Sequence, residues 1–131
     1  MRFIHRTIEK EILKASQAFP VLLVTGPRRA GKTTLLRKLF PSASYCLLED
    51  PDLVSRVRSD PRSFIEEVSK PAILDEIQNT PDLFSYIQKL VDDNRQIRFV
   101  LTGSSNFLLM EKISQTLAGR TAVLHLLPFS F

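Results

Sequence analysis

The chain of 131 residues contains no tryptophan and a single cysteine, Cys46. One cysteine cannot form an internal disulfide, so we interpret Cys46 as a buried core thiol in a reducing compartment, the cytoplasm. No apolar run approaches the roughly 20 residues needed to cross a bilayer. The amino-terminal MRFIHRTIEKEILK also lacks the continuous apolar stretch of a secretory signal. The sequence therefore predicts neither a disulfide framework nor a membrane as partner.

The length and composition are those of one folded domain over residues 1–131. A domain of this size buries roughly two-thirds of its unfolded surface, which is enough for one hydrophobic core. Hydrophobic residues make up 44% of the chain and charged residues 24%, so the chain belongs with ordinary globular proteins rather than with disordered ones.

Positive charge is concentrated in the first 40 residues, which hold nine Lys/Arg and two Asp/Glu, whereas the remainder holds nine and twelve. The net charge is +4. Binding of a nucleotide triphosphate would explain much of the local excess, and nucleic acid is the alternative. Because no Arg/Lys stripe is interleaved with aromatic residues, DNA or RNA is not required as a partner.

Short apolar runs alternate with amphipathic stretches, a pattern that predicts an α/β fold with a parallel sheet. The predicted strands are 21–25, 44–48, 71–74, 97–102 and 121–126. The predicted helices include 6–18, 32–40, 81–93 and 106–118. Three helices are predicted to begin where a capping side chain precedes a proline at the first helical position, at Asp50-Pro51, Asp60-Pro61 and Thr80-Pro81.

The stretch GPRRAGKT matches G-x-x-x-x-G-K-[ST] and lies between an apolar strand and a predicted helix. Glycines allow a tight loop whose N–H groups face phosphate oxygens, and the helix N-terminus favours the anion. Lys32 is predicted to reach the β- and γ-phosphates, and the Thr33 hydroxyl to ligate Mg²⁺. The predicted nucleotide-binding residues are Gly26, Pro27, Arg28, Arg29, Ala30, Gly31, Lys32, Thr33 and Thr34. Phosphate, a neighbouring subunit and water remain open as contacts of Arg28 and Arg29.

The stretch AILDEIQ supplies the acidic residues that a phosphate loop requires on a nearby strand. Asp75 is predicted to hold Mg²⁺ through water, and Glu76 to act as the general base that polarises an attacking water. Two adjacent carboxylates are costly to bury unless a cation is present, which favours a metal site. An acid that activates water also favours hydrolysis over transfer to a small acceptor.

Two further candidates follow later strands. In LTGSSNF, Ser104 is predicted to sense the γ-phosphate or orient water, although a residue here also suits a helix cap. In LAGR, Gly119 ends a helix and precedes Arg120. Arg120 is predicted either to place favourable charge at a helix C-terminus or to act as an arginine finger.

These stretches resemble the AAA+-like bacterial and archaeal ATPases of the AAA-14 type, and the resemblance spans about residues 18–131. It rests on FPVLLVTGPRRAGKTTLL, LLEDPD, AILDEIQNTPDLF, RFVLTGSSNFLL and TLAGRTAVLHLLPFSF. The resemblance implies a P-loop NTPase three-layer sandwich with a five-stranded parallel sheet of order 5-1-4-3-2. That order implies a sensor role for Ser104 beside the γ-phosphate. It also implies an arginine-finger role for Arg120, serving a neighbouring subunit of a homo-oligomer.

Members of that family continue into a helical lid or a further C-terminal domain, so the chain ending LLPFSF is predicted to be a truncated ATPase core. The leading hypothesis is a core that binds Mg-ATP and hydrolyses it. A nucleotide-dependent switch with little turnover is the first alternative. A DNA-associated ATPase, supported only by the basic first 40 residues, is the second.

Overall fold

The computed structural model describes residues 2–26, 31–104 and 107–126. The helices are α1 (Arg2–Ala18), α2 (Lys32–Leu39), α3 (Pro51–Ser59), α4 (Pro61–Glu67), α5 (Leu83–Asp93) and α6 (Phe107–Thr116). The strands are β1 (Val21–Thr25), β2 (Ser44–Leu47), β3 (Ala72–Asp75), β4 (Phe99–Gly103) and β5 (Thr121–His125). A 3₁₀ turn, Ile77–Asn79, follows β3.

The five strands form one parallel sheet in the order β2-β3-β4-β1-β5, which confirms the predicted order. β1 lies between β4 and β5, with Val21 beside both Phe99 and Thr121. Every residue of β1, β3 and β4 is buried, as expected for strands covered on both faces.

The sheet separates two apolar clusters, so the molecule has three layers. The larger cluster packs one face of the sheet against α3, α4, α5 and α6 through residues such as Val57, Phe64, Phe84 and Ile113. The smaller cluster lies on the other face and includes Ile12 of α1, Leu36 of α2, and four strand residues, Leu22, Val24, Ile73 and Val100. The helix that follows the phosphate loop therefore packs against the face from which Ile73 and Val100 project.

Two of the three predicted helix starts are confirmed. The Asp50 side chain accepts a hydrogen bond from the N–H of Asp52, and the Asp60 side chain accepts one from Ser63, each at 3.2 Å. Each proline that follows occupies the first turn, where its missing N–H costs no hydrogen bond.

The predicted cap at Thr80 is wrong, because α5 begins at Leu83 with Asp82 as its N-cap. The N–H groups of Leu83 and Phe84 donate to the carbonyls of Thr80 and Pro81, at 3.1 and 3.2 Å. Residues 80–82 thus form a tight turn that continues from the 3₁₀ turn after β3, and the Thr80 hydroxyl is directed back to the carbonyl of Ile77.

Other helix and strand boundaries differ from the predicted ones by a few residues. β4 begins at Phe99 rather than at residue 97, and α1 extends to Arg2. Cys46 is free as predicted, but it is only partly buried on the edge strand β2, and its burial raises the pKa of the thiol. None of the described helices is both long enough and apolar enough to span a bilayer.

Candidate functional site

The carboxyl ends of β1, β3 and β4 lie side by side at one edge of the sheet, where they place the predicted loop and the predicted acids together. β1 ends at Thr25 and is followed by Gly26, β3 ends at Asp75, and β4 ends at Gly103. In open parallel sheets, ligands bind in the crevice at this edge, where the strand order reverses.

The loop leaves β1 at Gly26, whose φ is 155°, and enters α2 after Gly31, whose φ is 79°. Residues other than glycine rarely adopt such positive φ angles. The N–H of Leu35 donates to the carbonyl of Gly31 at 3.0 Å, so the preceding N–H groups of α2 have no acceptor within the helix and suit an anion. Four predicted loop residues lie outside the described part of the chain: Pro27, Arg28, Arg29 and Ala30.

Lys32, the first residue of α2, is buried against the acid that follows β3. Its Nζ lies 3.5 Å from Oε1 of Glu76, and the two side chains are only 2% and 8% exposed. The Gln78 amide donates from Nε2 to Oε2 of Glu76 at 2.5 Å. Both carboxylate oxygens of Glu76 therefore have partners, and the charge on Lys32 is balanced by the predicted general base. Thr34 is exposed in the first turn of α2.

The Asp75 carboxylate is held by three hydroxyl groups from three different elements. Thr33 of α2 donates to Oδ2 at 2.9 Å, Tyr45 of β2 donates to the same oxygen at 2.5 Å, and Thr102 of β4 contacts Oδ1. An ionised carboxylate has about four acceptor positions, so three donors leave room for one more. This arrangement orients Asp75 and leaves it able to accept from a metal-bound water.

Glu76 has a left-handed backbone conformation, with φ 62° and ψ 53°. For a residue other than glycine, such a conformation typically costs about 1–3 kcal/mol and persists only where the surroundings enforce it. Its N–H donates to Oγ1 of Thr102 at 3.0 Å, and the same hydroxyl contacts Asp75. Thr102, fully buried in β4, thereby fixes both acids relative to each other.

The Tyr45 phenol is kept protonated by its surroundings. Burial raises the pKa of Tyr45 well above its usual value, and the hydrogen bond to the Asp75 carboxylate raises it further. A neutral phenol can donate but an ionised one cannot, so the raised pKa of Tyr45 favours the form that donates to Asp75.

Thr102, Tyr45 and Gln78 are the site residues that the sequence analysis did not assign. Thr102 lies in LTGSSNF, the stretch from which only Ser104 is predicted as a site residue. A signal existed in the alternation of strand residues: Val100 packs on the face occupied by α2, so Thr102, two positions later, projects to the same face. Gln78 lies in the 3₁₀ turn and carried no such signal.

The two remaining predicted catalytic residues are Ser104 and Arg120. Ser104 directly follows β4 and is exposed, so its sensor role stays a prediction. Arg120 precedes β5 at the opposite, amino edge of the sheet, where its backbone carbonyl accepts from the N–H of Val21. Its guanidinium binds both carboxylate oxygens of Asp92, at 2.6 and 2.9 Å. Arg120 is thus not brought to its own chain's site, and a role in a neighbouring copy's site stays a prediction.

The residues at this edge fit a nucleotide with Mg²⁺. Magnesium prefers oxygen ligands and keeps several waters. The Thr33 hydroxyl gives its hydrogen to Asp75, which leaves its oxygen lone pairs for a cation. Lys32 and the N-terminus of α2 supply positive charge for phosphate. The described residues contain no group of three His, Cys, Asp or Glu side chains placed to hold a metal ion. A Mg²⁺ ion at Thr33 and Asp75 would take its other ligands from phosphate oxygens and water.

Replacing Gly26 by alanine should lower stability more than replacing Gly31. Both positions impose a positive φ, which costs a residue other than glycine about 1–3 kcal/mol. A Cβ at Gly26 would also lie 2.6 Å from the backbone oxygen of Leu126, whereas at Gly31 no described atom lies within 4 Å. Urea denaturation of both variants tests this, and equal midpoints would contradict the steric account.

Comparison with known proteins agrees with this geometry. The model of a family described as an AAA domain matches residues 18–131. The uncharacterized protein Rv2008c of Mycobacterium tuberculosis is 37% identical over 123 residues, which cover 92% of this chain and 28% of that protein, and Mb2031c of Mycobacterium bovis gives the same values. The chain therefore spans little more than a quarter of the length of these relatives.

Solved structures share the fold at low sequence identity. The Walker-type ATPase PABY2304 of Pyrococcus abyssi has a TM-score of 0.63 and 20% identity over 95% of this chain and 53% of its own. The RuvB Holliday junction branch migration motor of Thermotoga maritima has a TM-score of 0.57 and 22% identity over 93% of this chain and 44% of its own. The chain has the P-loop NTPase fold and belongs to the AAA-domain family, as an ATPase-like nucleotide-binding core.

Proposed function

We propose that this domain binds ATP with Mg²⁺ at the carboxyl edge of the sheet and hydrolyses it. The observation that carries the proposal is that two neighbouring residues of α2 contact two neighbouring acids after β3. Lys32 lies 3.5 Å from Glu76, and Thr33 donates to Asp75 at 2.9 Å. The proposal assigns phosphate binding to Lys32, metal binding to Thr33 and Asp75, and the general-base role to Glu76.

Each side chain has a defined task in this proposal. Lys32 binds the β- and γ-phosphate oxygens, and Thr33 and Asp75 hold the metal. A bound Mg²⁺ would supply positive charge that offsets the charge developing on the phosphoryl group during transfer. Glu76 accepts a proton from the water that attacks the γ-phosphorus. The bond from that phosphorus to the β,γ-bridging oxygen breaks, and the products are ADP and inorganic phosphate.

Nucleotide binding has to change the contacts of Glu76. In the structure the carboxylate is the counter-ion of Lys32, so phosphate oxygens would compete with Glu76 for the ammonium group. Once Lys32 turns to phosphate, Glu76 keeps its hydrogen bond from Gln78, and its backbone keeps its bond to Thr102. These two contacts hold the base in place while one of its oxygens becomes available to water.

The test is phosphate release by the full-length protein at saturating ATP, with Mg²⁺ and then with the metal chelated. We expect steady turnover that requires the metal, because the divalent cation is what neutralises charge on the transferring phosphoryl group. Tight, stoichiometric ATP binding without release of phosphate would contradict hydrolysis and favour the nucleotide-dependent switch. Salt-sensitive stimulation by DNA would favour the DNA-associated alternative.

A further inference from the structure

We infer that Tyr45 is a positioning residue for Asp75, so that the phenol on β2 sets the orientation of the metal-binding carboxylate. The inference rests on the proposed function, because it assumes that Asp75 holds Mg²⁺. It goes beyond the residues that contact nucleotide or metal, because Tyr45 acts only through Asp75.

The first support is the direct contact between the two side chains. The Tyr45 hydroxyl donates to Oδ2 of Asp75 at 2.5 Å. β2 and β3 are adjacent and parallel, with Tyr45 beside Ile73, so the ring extends along the sheet toward the carboxyl end of β3. A hydrogen bond to a charged acceptor is short and about twice as strong as a neutral one. The contact therefore restricts the rotation of the carboxylate.

The second support is that the ring itself is held. The guanidinium carbon of Arg37 lies 4.7 Å from the centroid of the Tyr45 ring, within the range of a cation–π interaction. Arg37 belongs to α2, the helix that begins with Lys32 and Thr33. The phenol is thus clamped between the helix that binds phosphate and the strand that carries the metal carboxylate.

The third support is the distribution of donors over Asp75. Thr33 and Tyr45 share Oδ2, while Thr102 contacts Oδ1. In the metal-bound state the Thr33 oxygen would also be a metal ligand, so its position would be set by the cation as well as by Asp75. Tyr45 and Thr102 are then the donors that hold Asp75 independently of the ligand.

The decisive variant is Tyr45→Phe, which removes the hydroxyl but keeps the ring, its packing and its contact with Arg37. The chain offers a matched control, because it contains two tyrosines and no tryptophan. The second tyrosine, Tyr86, lies on α5 and lines a surface groove with Ile65 and Lys89, on the other face of the sheet. Tyr86→Phe removes the same atom at a place remote from the acids.

In the full-length protein, we expect Tyr45→Phe to raise the Mg²⁺ concentration for half-maximal phosphate release about tenfold. Loss of a partner behind a metal ligand typically costs about 10–100-fold in metal affinity or activity, and here two other donors remain. ATP affinity measured with the metal chelated should be unchanged, since Tyr45 acts only through Asp75. Tyr86→Phe should behave as wild type in both assays. A metal dependence for Tyr45→Phe equal to that of Tyr86→Phe would overturn the inference.

A second measurement does not depend on activity or on the folding of Tyr45→Phe. In the Tyr86→Phe form of the 131-residue chain, Tyr45 is the sole tyrosine and therefore the sole source of tyrosine fluorescence. A phenol bonded to a carboxylate is sensitive to the charge on that carboxylate. Titration of Mg²⁺ into a complex with a non-hydrolysable ATP analogue should change this emission and saturate with metal. Emission that stays constant while metal binds overturns the inference. A change without any phosphate release in wild type would support it and instead contradict the hydrolysis proposed above.

Discussion

Replacing Glu76 by glutamine is expected to lower kcat for ATP hydrolysis about 10²–10⁴-fold, the contribution typical of a positioned general base. The amide keeps the size of the side chain and can still bond to Gln78, but it cannot take a proton from water. Because the carboxylate competes with phosphate for Lys32, its removal should leave ATP affinity unchanged or increase it. The measurements are steady-state phosphate release and equilibrium binding of a fluorescent ATP analogue.

The matched control for this variant is Glu67→Gln, which makes the same chemical change at an exposed position of α4. Glu67 lies 3.7 Å from Arg56 with both side chains largely exposed, and it is remote from the acids after β3. It should retain wild-type kcat. A Glu76→Gln protein that also retains wild-type kcat would show that another group, or water alone, accepts the proton.

Replacing Lys32 by methionine is expected to have the largest effect on binding. An ionised donor contributes about 1.5–3 kcal/mol to a hydrogen bond, which corresponds to roughly a 10- to 100-fold loss of ATP affinity. The loss should be greater for ATP than for AMP, because Lys32 is assigned to the β- and γ-phosphates. Isothermal titration with ATP, ADP and AMP measures this order, and equal losses for all three nucleotides would contradict the assignment.

The same substitution should also destabilise the nucleotide-free protein. Lys32→Met leaves the Glu76 carboxylate buried without a counter-ion, and removal of one partner of a buried pair typically costs about 3–5 kcal/mol. The hydrogen bond from Gln78 should keep the loss near the lower value. If the loss arises from the orphaned charge, the double variant Lys32→Met with Glu76→Gln should recover much of it.

An exposed pair serves as the control for the stability experiment. Lys38 on α2 lies 2.9 Å from Glu9, but its side chain is 72% exposed. Exposed ion pairs contribute about 0–1 kcal/mol, so Lys38→Met should change the free energy of unfolding little. If Lys32→Met and Lys38→Met lower the free energy of unfolding by equally small amounts, the buried pair does not contribute to stability as proposed.

Most helices and strands of this fold could be predicted from the sequence because they follow from local rules. Apolar runs such as VLLVT are strands buried on both faces, and Asp-Pro pairs at 50–51 and 60–61 begin helices. The start of α5 was misplaced because a Thr-Pro pair there resembles a cap, while the 3₁₀ turn Ile77–Asn79 is followed directly by a second turn over residues 80–82. That turn depends on backbone hydrogen bonds, and their pattern has no signature in residue type.

The residues to which the proposal assigns nucleotide and metal could be named from the sequence, because loop and acid motifs require particular residue types. Lys32, Thr33, Asp75 and Glu76 meet as the sequence predicted, though their catalytic roles stay proposals. The residues that hold these acids in place could not be predicted in the same way. Tyr45 reaches Asp75 only because β2 is the neighbour of β3, a fact of strand order rather than of local sequence.

The left-handed backbone of Glu76 is a further feature that sequence alone concealed. Nothing in DEIQ distinguishes a strained glutamate from an ordinary one, and glycine would be the usual residue at such an angle. The structure shows that Thr102, contributed by another strand, receives the N–H of Glu76 and holds it in place. Residues of this kind become identifiable only when the elements around them are assembled.

A single-turnover experiment tests the central claim most directly, namely that Glu76 in this site drives cleavage of bound ATP. Full-length protein in excess over ATP labelled in its γ-phosphate is mixed with Mg²⁺, and samples are quenched over time. Wild type should convert bound ATP to ADP and phosphate, while Glu76→Gln should hold the nucleotide as ATP over the same interval. Conversion at the wild-type rate in the variant, or no conversion in either protein, would contradict the account.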